Sequence, residues 1–380
     1  MSLALYLHIP FCRRKCRYCD FVSTPDSTPA ERDAYVAQLL TEMAQRAEML
    51  SLPLPADTLF FGGGTPSLLA PAQIERLIAE ARARFALATD AEITLEANPG
   101  TIDAGWLAAC RQAGVNRLSL GVQSFDGDKL RLLGRLHDSS AARETIAAAR
   151  QAGFDNLGID LMHGLPGQSL AGWRADLETA VSLGPEHISA YGLSVEEGTP
   201  FARDLAAGQL ELPEEELAAA LFSETISVLT AAGYEQYEIS NFARPGQRSR
   251  HNQVYWQREP YLGLGAAAHS LLPLSPYGSR FANPEDIAAY AASLVTGTLP
   301  ETTELSRSEA MAEFLFLGLR LRKGIDPARF AAAFGITLED AYPDVLPRLV
   351  RDGLLLADGD RLALSDRGLL LANQVLLHFV

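Results

Sequence analysis

Three cysteines, Cys12, Cys16 and Cys19, crowd into one short run near the start of the chain: His8-Ile9-Pro10-Phe11-Cys12-Arg13-Arg14-Lys15-Cys16-Arg17-Tyr18-Cys19-Asp20-Phe21. Thiolates are the ligands of iron–sulfur clusters, and nearby positive charge favours thiolate over thiol. Arg13, Arg14, Lys15 and Arg17 supply that charge. The Cys-x3-Cys-x2-Cys spacing lets one loop wrap three corners of a cubane. No cysteine follows for the fourth corner; Phe21 stands two places after Cys19. The reading is a 4Fe–4S cluster with one open iron. Zinc with His8 as fourth ligand, or three free cysteines, is the alternative. Zinc sites, however, usually show two cysteine pairs or a distant histidine pair, and neither occurs at suitable spacing. Cys110, beside Trp106 and Leu107 in an amphipathic run, reads as core packing.

An open iron can chelate the amino and carboxylate groups of S-adenosylmethionine (SAM). An electron from the cluster would then cleave the sulfonium and release a 5′-deoxyadenosyl radical. The cofactor supplies that chemistry; the protein supplies position and shielding.

The elements that must position such a site are legible up to about residue 245. Strands are predicted at Ala4–Ile9, Thr58–Phe61, Glu92–Ala97, Arg117–Val122, Leu157–Met162 and His187–Leu193. Helices are predicted between them at Ala30–Leu50, Pro71–Phe85, Ala104–Ala113, Ser139–Ala152 and Leu170–Leu183. This alternation predicts an α/β fold with parallel strands and right-handed crossovers. Six units are fewer than the eight of a full barrel, so a partial (β/α)6 parallel barrel is expected. Special residues follow the strands: Gly62-Gly63-Gly64-Thr65 the second, Asn98-Pro99-Gly100 the third, Gln123 the fourth. Glu96 ends the third strand and Asp160 sits in the fifth. Strand C-termini form the ligand-binding rim of parallel α/β sheets.

After a helix predicted at Pro213–Ala232, residues 246–284 are rich in Pro, Gly, Ser, Asn and aromatics. Helical runs follow at Glu285–Thr296, Ser306–Arg322, Pro327–Phe334 and Tyr342–Asp352, then a hairpin across Asp358-Gly359-Asp360 and a helix at Asp366–His378. Two domains are expected, 1–245 and 246–380, the second mostly helical and winged-helix-like. The chain of 380 residues, 48% hydrophobic and 21% charged, can build both cores. A net charge of -15 argues against nucleic acid as a partner. No signal-peptide pattern and no apolar run of the roughly 20 residues that span a bilayer is seen, so a soluble, cytoplasmic protein is expected.

The cysteine run, with Tyr18 before its last cysteine, resembles the radical SAM proteins. Tyr6-Leu7-His8-Ile9-Pro10-Phe11 narrows the resemblance to the oxygen-independent coproporphyrinogen III oxidases and their relatives. The resemblance implies SAM contacts at Tyr6, Tyr18, Gly63, Gly64, Thr65 and Glu96. It implies contacts to a second SAM at Gln123, Arg135 and Asp160. Two features depart from the decarboxylating members: Phe21 replaces their last cysteine, and only 11 residues precede Cys12. Both match the heme-chaperone branch, which also carries His-Asn-x-x-Tyr-Trp, here His251-Asn252-Gln253-Val254-Tyr255-Trp256. The branch implies heme as cargo, contacted by His251, Asn252, Tyr255 and Trp256. It also implies an acceptor protein, soluble or membrane-associated. Imidazole is a good axial ligand, and Tyr and Trp offer flat faces to a porphyrin. On a helix, His251 and Tyr255 share a face, and Arg248, Arg250 and Arg258 stand by for propionates. His269 is a rival ligand. The competing readings are a buried aromatic hinge for the motif and porphyrin decarboxylation for the chain.

Overall fold

Period-two alternation along each inner strand gives the barrel its two faces. In the computed structural model, which describes residues 2–49 and 55–380, six strands pair in chain order, each parallel to the next. They are β1 (Leu3–Ile9), β2 (Ala56–Gly63), β3 (Glu92–Ala97), β4 (Arg117–Gln123), β5 (Leu157–His163) and β6 (His187–Gly192). All six coincide with predicted strands, and helices occupy the crossovers. The first helix runs Pro29–Met49; Leu50, its predicted end, lies outside the described residues. Leu3, Leu5, Leu7 and Ile9 of β1 are buried in one apolar cluster with Tyr35, Val36, Leu39 and Met43 of that helix. The opposite parity faces inward and is polar: Glu96, Arg117, Ser119, Asp160 and Ser189 all line an internal cavity.

The sheet does not close. Beyond β6 it adds the antiparallel β7 (Asn241–Ala243). Beyond β1 it adds β8 (Tyr261–Leu264) in parallel, then β9 (His269–Leu272) and β10 (Ser279–Ala282) antiparallel. The sheet therefore runs across the expected 245/246 division, and Leu262, Leu264, Phe281 and Tyr290 join the barrel's core. The second apolar cluster draws its buried residues from Ala310 to Phe379. β8 escapes the sequence reading because it is four residues long and interrupted by Gly263. That glycine is required by packing, since a Cβ there would lie 2.2 Å from the His269 carbonyl oxygen.

A buried charge fastens this extension to the first helix. The Glu42 carboxylate accepts from the Gly265 N–H (2.8 Å), Asn283 Nδ2 (2.7 Å) and the Tyr290 hydroxyl (2.8 Å). Arg46, one turn on, lies 3.3 Å away. Such a charge is tolerated because every partner is in place.

The C-terminal unit places helices Arg307–Gly318, Pro327–Phe334 and Val345–Arg351 before the hairpin Leu355–Asp358/Arg361–Leu364, the helices-then-hairpin order expected. The helix predicted at Tyr342–Asp352 starts only at Val345, just after Pro343-Asp344. The predicted terminal helix is broken in two at Leu371.

Candidate functional site

The cysteine loop leaves the C-terminal end of β1 and is anchored along its length. The Tyr35 hydroxyl donates to the His8 carbonyl (2.9 Å) where β1 ends. His8 Nε2 meets the Val22 carbonyl (2.9 Å), and the Asp26 N–H donates to the Cys12 carbonyl (3.1 Å), which fixes the loop's return. At its middle, the Arg17 N–H donates to the Leu133 carbonyl (3.1 Å) and the Arg17 carbonyl accepts from the Phe201 N–H (3.1 Å).

The zinc alternative loses its fourth ligand. His8 Nδ1 faces the Tyr6 hydroxyl at 3.1 Å and Nε2 is taken by Val22. Among the described residues no three His, Cys, Asp or Glu groups gather tightly enough for a single metal ion. All three thiols are carried on the one wrapped loop and line the same cavity. Of the cations expected around them, Arg17 alone has an acidic partner among the described residues, while Arg13 and Arg14 line the same cavity as the thiols. Arg14 is turned to the Gly134 carbonyl and Arg17 to Asp204. Burial raises the Cys19 thiol above its ordinary value, and crowding by Cys16 and Cys12 adds to this. A bound metal reverses that balance by holding thiolates.

Cys12, Cys16 and Cys19 open onto a cavity of about 410 Å³ at the C-terminal end of the barrel strands. Tyr18, Gly63, Gly64, Thr65, Glu96, Gln123, Arg135 and Asp160 line it, as does Asn252. Tyr6 does not; it lies deeper, stacked on Phe60 at 6.1 Å. Gly64 must lack a side chain, because a Cβ would lie 2.7 Å from the Phe11 carbonyl and 3.1 Å from Cys12 Sγ. Thr65 Oγ1 stands 3.5 Å from Cys12 Sγ and accepts from Asn98 Nδ2 (3.0 Å). Arg135 donates to Asn98 Oδ1 and the Gly121 carbonyl (both 2.5 Å), with its other terminal nitrogen 3.5 Å from Cys16 Sγ. Thus the glycine segment, the rim and the cysteine loop form one hydrogen-bonded unit. Gln123 is held at φ 70° where the β4–β5 register shifts, a left-handed conformation unusual for glutamine. Such strain collects at functional sites. Phe21 is 66% exposed at the cavity's lining.

Burial and then the nearby Asp160 carboxylate push Glu96 up to about 8, although the Gly63 N–H opposes this. A cationic ligand beside Glu96 would draw it back towards ionisation. A raised carboxylate costs stability above its unfolded value, so the ligand-free protein should lose stability from about pH 4.5 to pH 8. Glu96→Gln should remove that loss. The variant should melt higher than the parent at pH 8 and converge with it near pH 5, as thermal unfolding at the two pH values would show. Equal differences at both would refute the assignment.

The His251 motif is split by the fold. Helix Arg250–Trp256 sits at the opposite, N-terminal end of the barrel strands. Glu92, at the start of β3, accepts from the backbone N–H groups of Arg250 (2.9 Å) and His251 (3.0 Å). His251 is 1% exposed. Its Nδ1 is bonded to the Thr58 hydroxyl and its Nε2 to the Tyr255 hydroxyl, both at 2.8 Å. Its ring stacks on Phe60 at 5.0 Å. Burial, and then the charge of Arg117, lower it to about 3, so it is neutral. Neither ring nitrogen of His251 is free here, so heme contact at His251 and Tyr255 would require these hydrogen bonds to open. His251 is packed against the Phe60 and Tyr255 rings. Asn252 instead reaches the barrel cavity, and Trp256 faces the C-terminal unit. His269, the rival, is exposed at the start of β9.

Arg117 was not singled out from sequence. It is 1% exposed, lines the cavity, and its Nε is buried without a partner. Its charge opposes the rise of both Glu96 and Asp160. Parity carries the signal: residues 117, 119, 121 and 123 share one strand face, and Gln123 is a candidate from sequence.

The radical SAM superfamily model matches residues 6–180, and that of the HemN C-terminal domain matches residues 305–371. The chain is 38% identical to the heme chaperone HemW of Bacillus subtilis over 379 residues, 99% of this chain and 98% of that protein. It is 36% identical to the Escherichia coli heme chaperone HemW, covering 100% and 98% of the two chains. Among solved structures, coproporphyrinogen III oxidase (HemN) from Escherichia coli, a radical SAM enzyme, superposes with TM-score 0.85 at 27% identity, covering 100% of this chain and 90% of that one. These likenesses span the whole chain rather than one motif, and the chain belongs to the HemW family of the radical SAM superfamily.

Proposed function

We propose that this chain is a heme chaperone, binding heme and passing it to an acceptor protein, soluble or membrane-associated, in the cytoplasm. Cys12, Cys16 and Cys19 would hold a 4Fe–4S cluster whose open iron takes SAM. When bound, that pair supplies one-electron reductive chemistry. The chain's own residues do the rest. Thr65 and Arg135 hydrogen-bond towards cysteine sulfurs, Glu96 receives a cationic group, Ser119 orients Asp160 (3.1 Å), and Gln123 lines the cavity. The observation that carries the reading is the full-length likeness to proteins named heme chaperone, together with Phe21 at the cavity. Among the described residues no helix is long and apolar enough to cross a membrane.

The TM-score of 0.85 to a coproporphyrinogen III oxidase makes decarboxylation the second reading. Cluster-loaded protein incubated anaerobically with coproporphyrinogen III, SAM and a reductant should give no vinyl product. Stoichiometric or catalytic vinyl formation would establish the enzyme instead.

A further inference from the structure

The three arginines expected to meet propionates are committed elsewhere. Arg248 pairs with Glu235 (2.9 Å), Arg250 donates to the Asp90 carbonyl (2.9 Å), and Arg258 pairs with Glu313 (2.8 Å). Uncommitted cations lie on the other side of helix Arg250–Trp256. There a second cavity, of about 220 Å³, opens between Trp256 and the C-terminal unit. Trp256, Phe314, Leu321 and Ile325 give it an apolar wall, and Lys323 and Arg361 stand at its edge.

Among the described residues neither Lys323 nor Arg361 has an ion-pair partner. The other charged groups of the wall are occupied. Arg329 pairs with Glu259, and Asp326 caps its helix by accepting from the Ala328 N–H (2.8 Å). Burial, then the charges of Arg361, Arg248 and Arg329, hold the Lys323 ammonium below its ordinary value, so Lys323 and Arg361 are the cations of this wall without an acidic partner among the described residues. The Trp256 Nε1–H is buried without a partner.

The turn that carries Lys323 is tightly made. Gly324 sits at φ +65°, and a Cβ there would lie 2.1 Å from the Leu362 carbonyl, which brings Lys323 beside the Arg361 strand. The Ile325–Leu362 backbone pair, at 2.9 and 3.0 Å, fixes that approach. An aromatic, apolar wall edged by two unpaired cations complements a flat apolar ligand that carries carboxylates at one edge.

We propose that the Trp256 cavity receives the propionate edge of heme, with Lys323 and Arg361 as its carboxylate partners. The proposal rests on heme being the cargo. A cavity of this size takes an edge rather than a whole macrocycle, leaving the remainder available to an acceptor.

The test compares heme with heme dimethyl ester, whose carboxylates are masked, by absorbance titration of cluster-loaded protein. The parent should bind heme about ten- to thirtyfold more tightly than the ester. Lys323→Ala/Arg361→Ala should lose that preference while its ester affinity stays unchanged, and the milder Lys323→Gln/Arg361→Gln should behave alike. Both side chains are exposed and unpaired, so the unfolding midpoint should not move. A parent that prefers heme and a double variant that keeps the full preference would overturn the site and leave the cargo standing. Equal binding of heme and ester by the parent would also overturn it. A parent that binds neither ligand would overturn the cargo itself.

Discussion

Cys16→Ala should strip the protein of its cluster: after anaerobic reconstitution, bound iron, sulfide and the visible iron–sulfur absorption should fall to background. The physical ground is the shape of the loop. One wrapped segment carries the three thiols, its return is pinned through His8 and Asp26, and Arg135 reaches Cys16 from the barrel rim. With two thiolates left, no third ligand is at hand among the described residues, and His8 is engaged on both nitrogens. Cys110→Ala is the matched control. That thiol is fully buried in the barrel's core, and burial alone pushes it up to about 12, so it is inert packing. The Cys110 variant should keep full iron and lose only modest stability. Iron retained by Cys16→Ala, or lost by Cys110→Ala with the fold intact, would refute the ligand assignment.

His251→Ala should destabilise the fold strongly, by about 3–5 kcal/mol, because it removes two buried hydrogen bonds and a stacked ring and leaves the Thr58 and Tyr255 hydroxyls unpaired. Denaturant titration measures this directly. The pH dependence follows from the lowered imidazole. An unfolded histidine takes up a proton near pH 6.5, whereas the folded one stays neutral down to about 3. Its contribution is complete above pH 6.5 and is lost as pH falls through that window. The gap between parent and variant should therefore narrow on acidification. His137 and His163, each lowered to about 4 by burial first, keep both proteins acid-sensitive. A variant as stable as its parent at pH 7.5 would show that the packing role is wrong.

The cysteine loop and strand ends were legible in sequence because local rules set them. A wrapped ligand loop is a matter of spacing, and a residue after a parallel strand lands on the rim whatever else the chain does. Hence Gly63, Gly64, Thr65, Glu96 and Gln123 meet in one cavity as expected. What the sequence does not reveal is non-local. The use of His251 depends on Thr58, 193 positions away, and on Glu92, 159 away, which the motif itself does not contain. Arg17 looks like part of a cationic field until Asp204, far along the chain, takes it. β8 has the composition of a loop, and it becomes a strand because β1 offers it an edge. The free cations of Lys323 and Arg361 are brought together by a glycine turn and a strand pair far apart in sequence.

The most direct measurement is an anaerobic heme titration of the cluster-loaded full chain, followed by absorbance and by heme retained after gel filtration. A heme chaperone should bind with saturable, unit stoichiometry, and the complex should survive the column. Binding that never saturates, or heme that separates from the protein completely, would contradict the account.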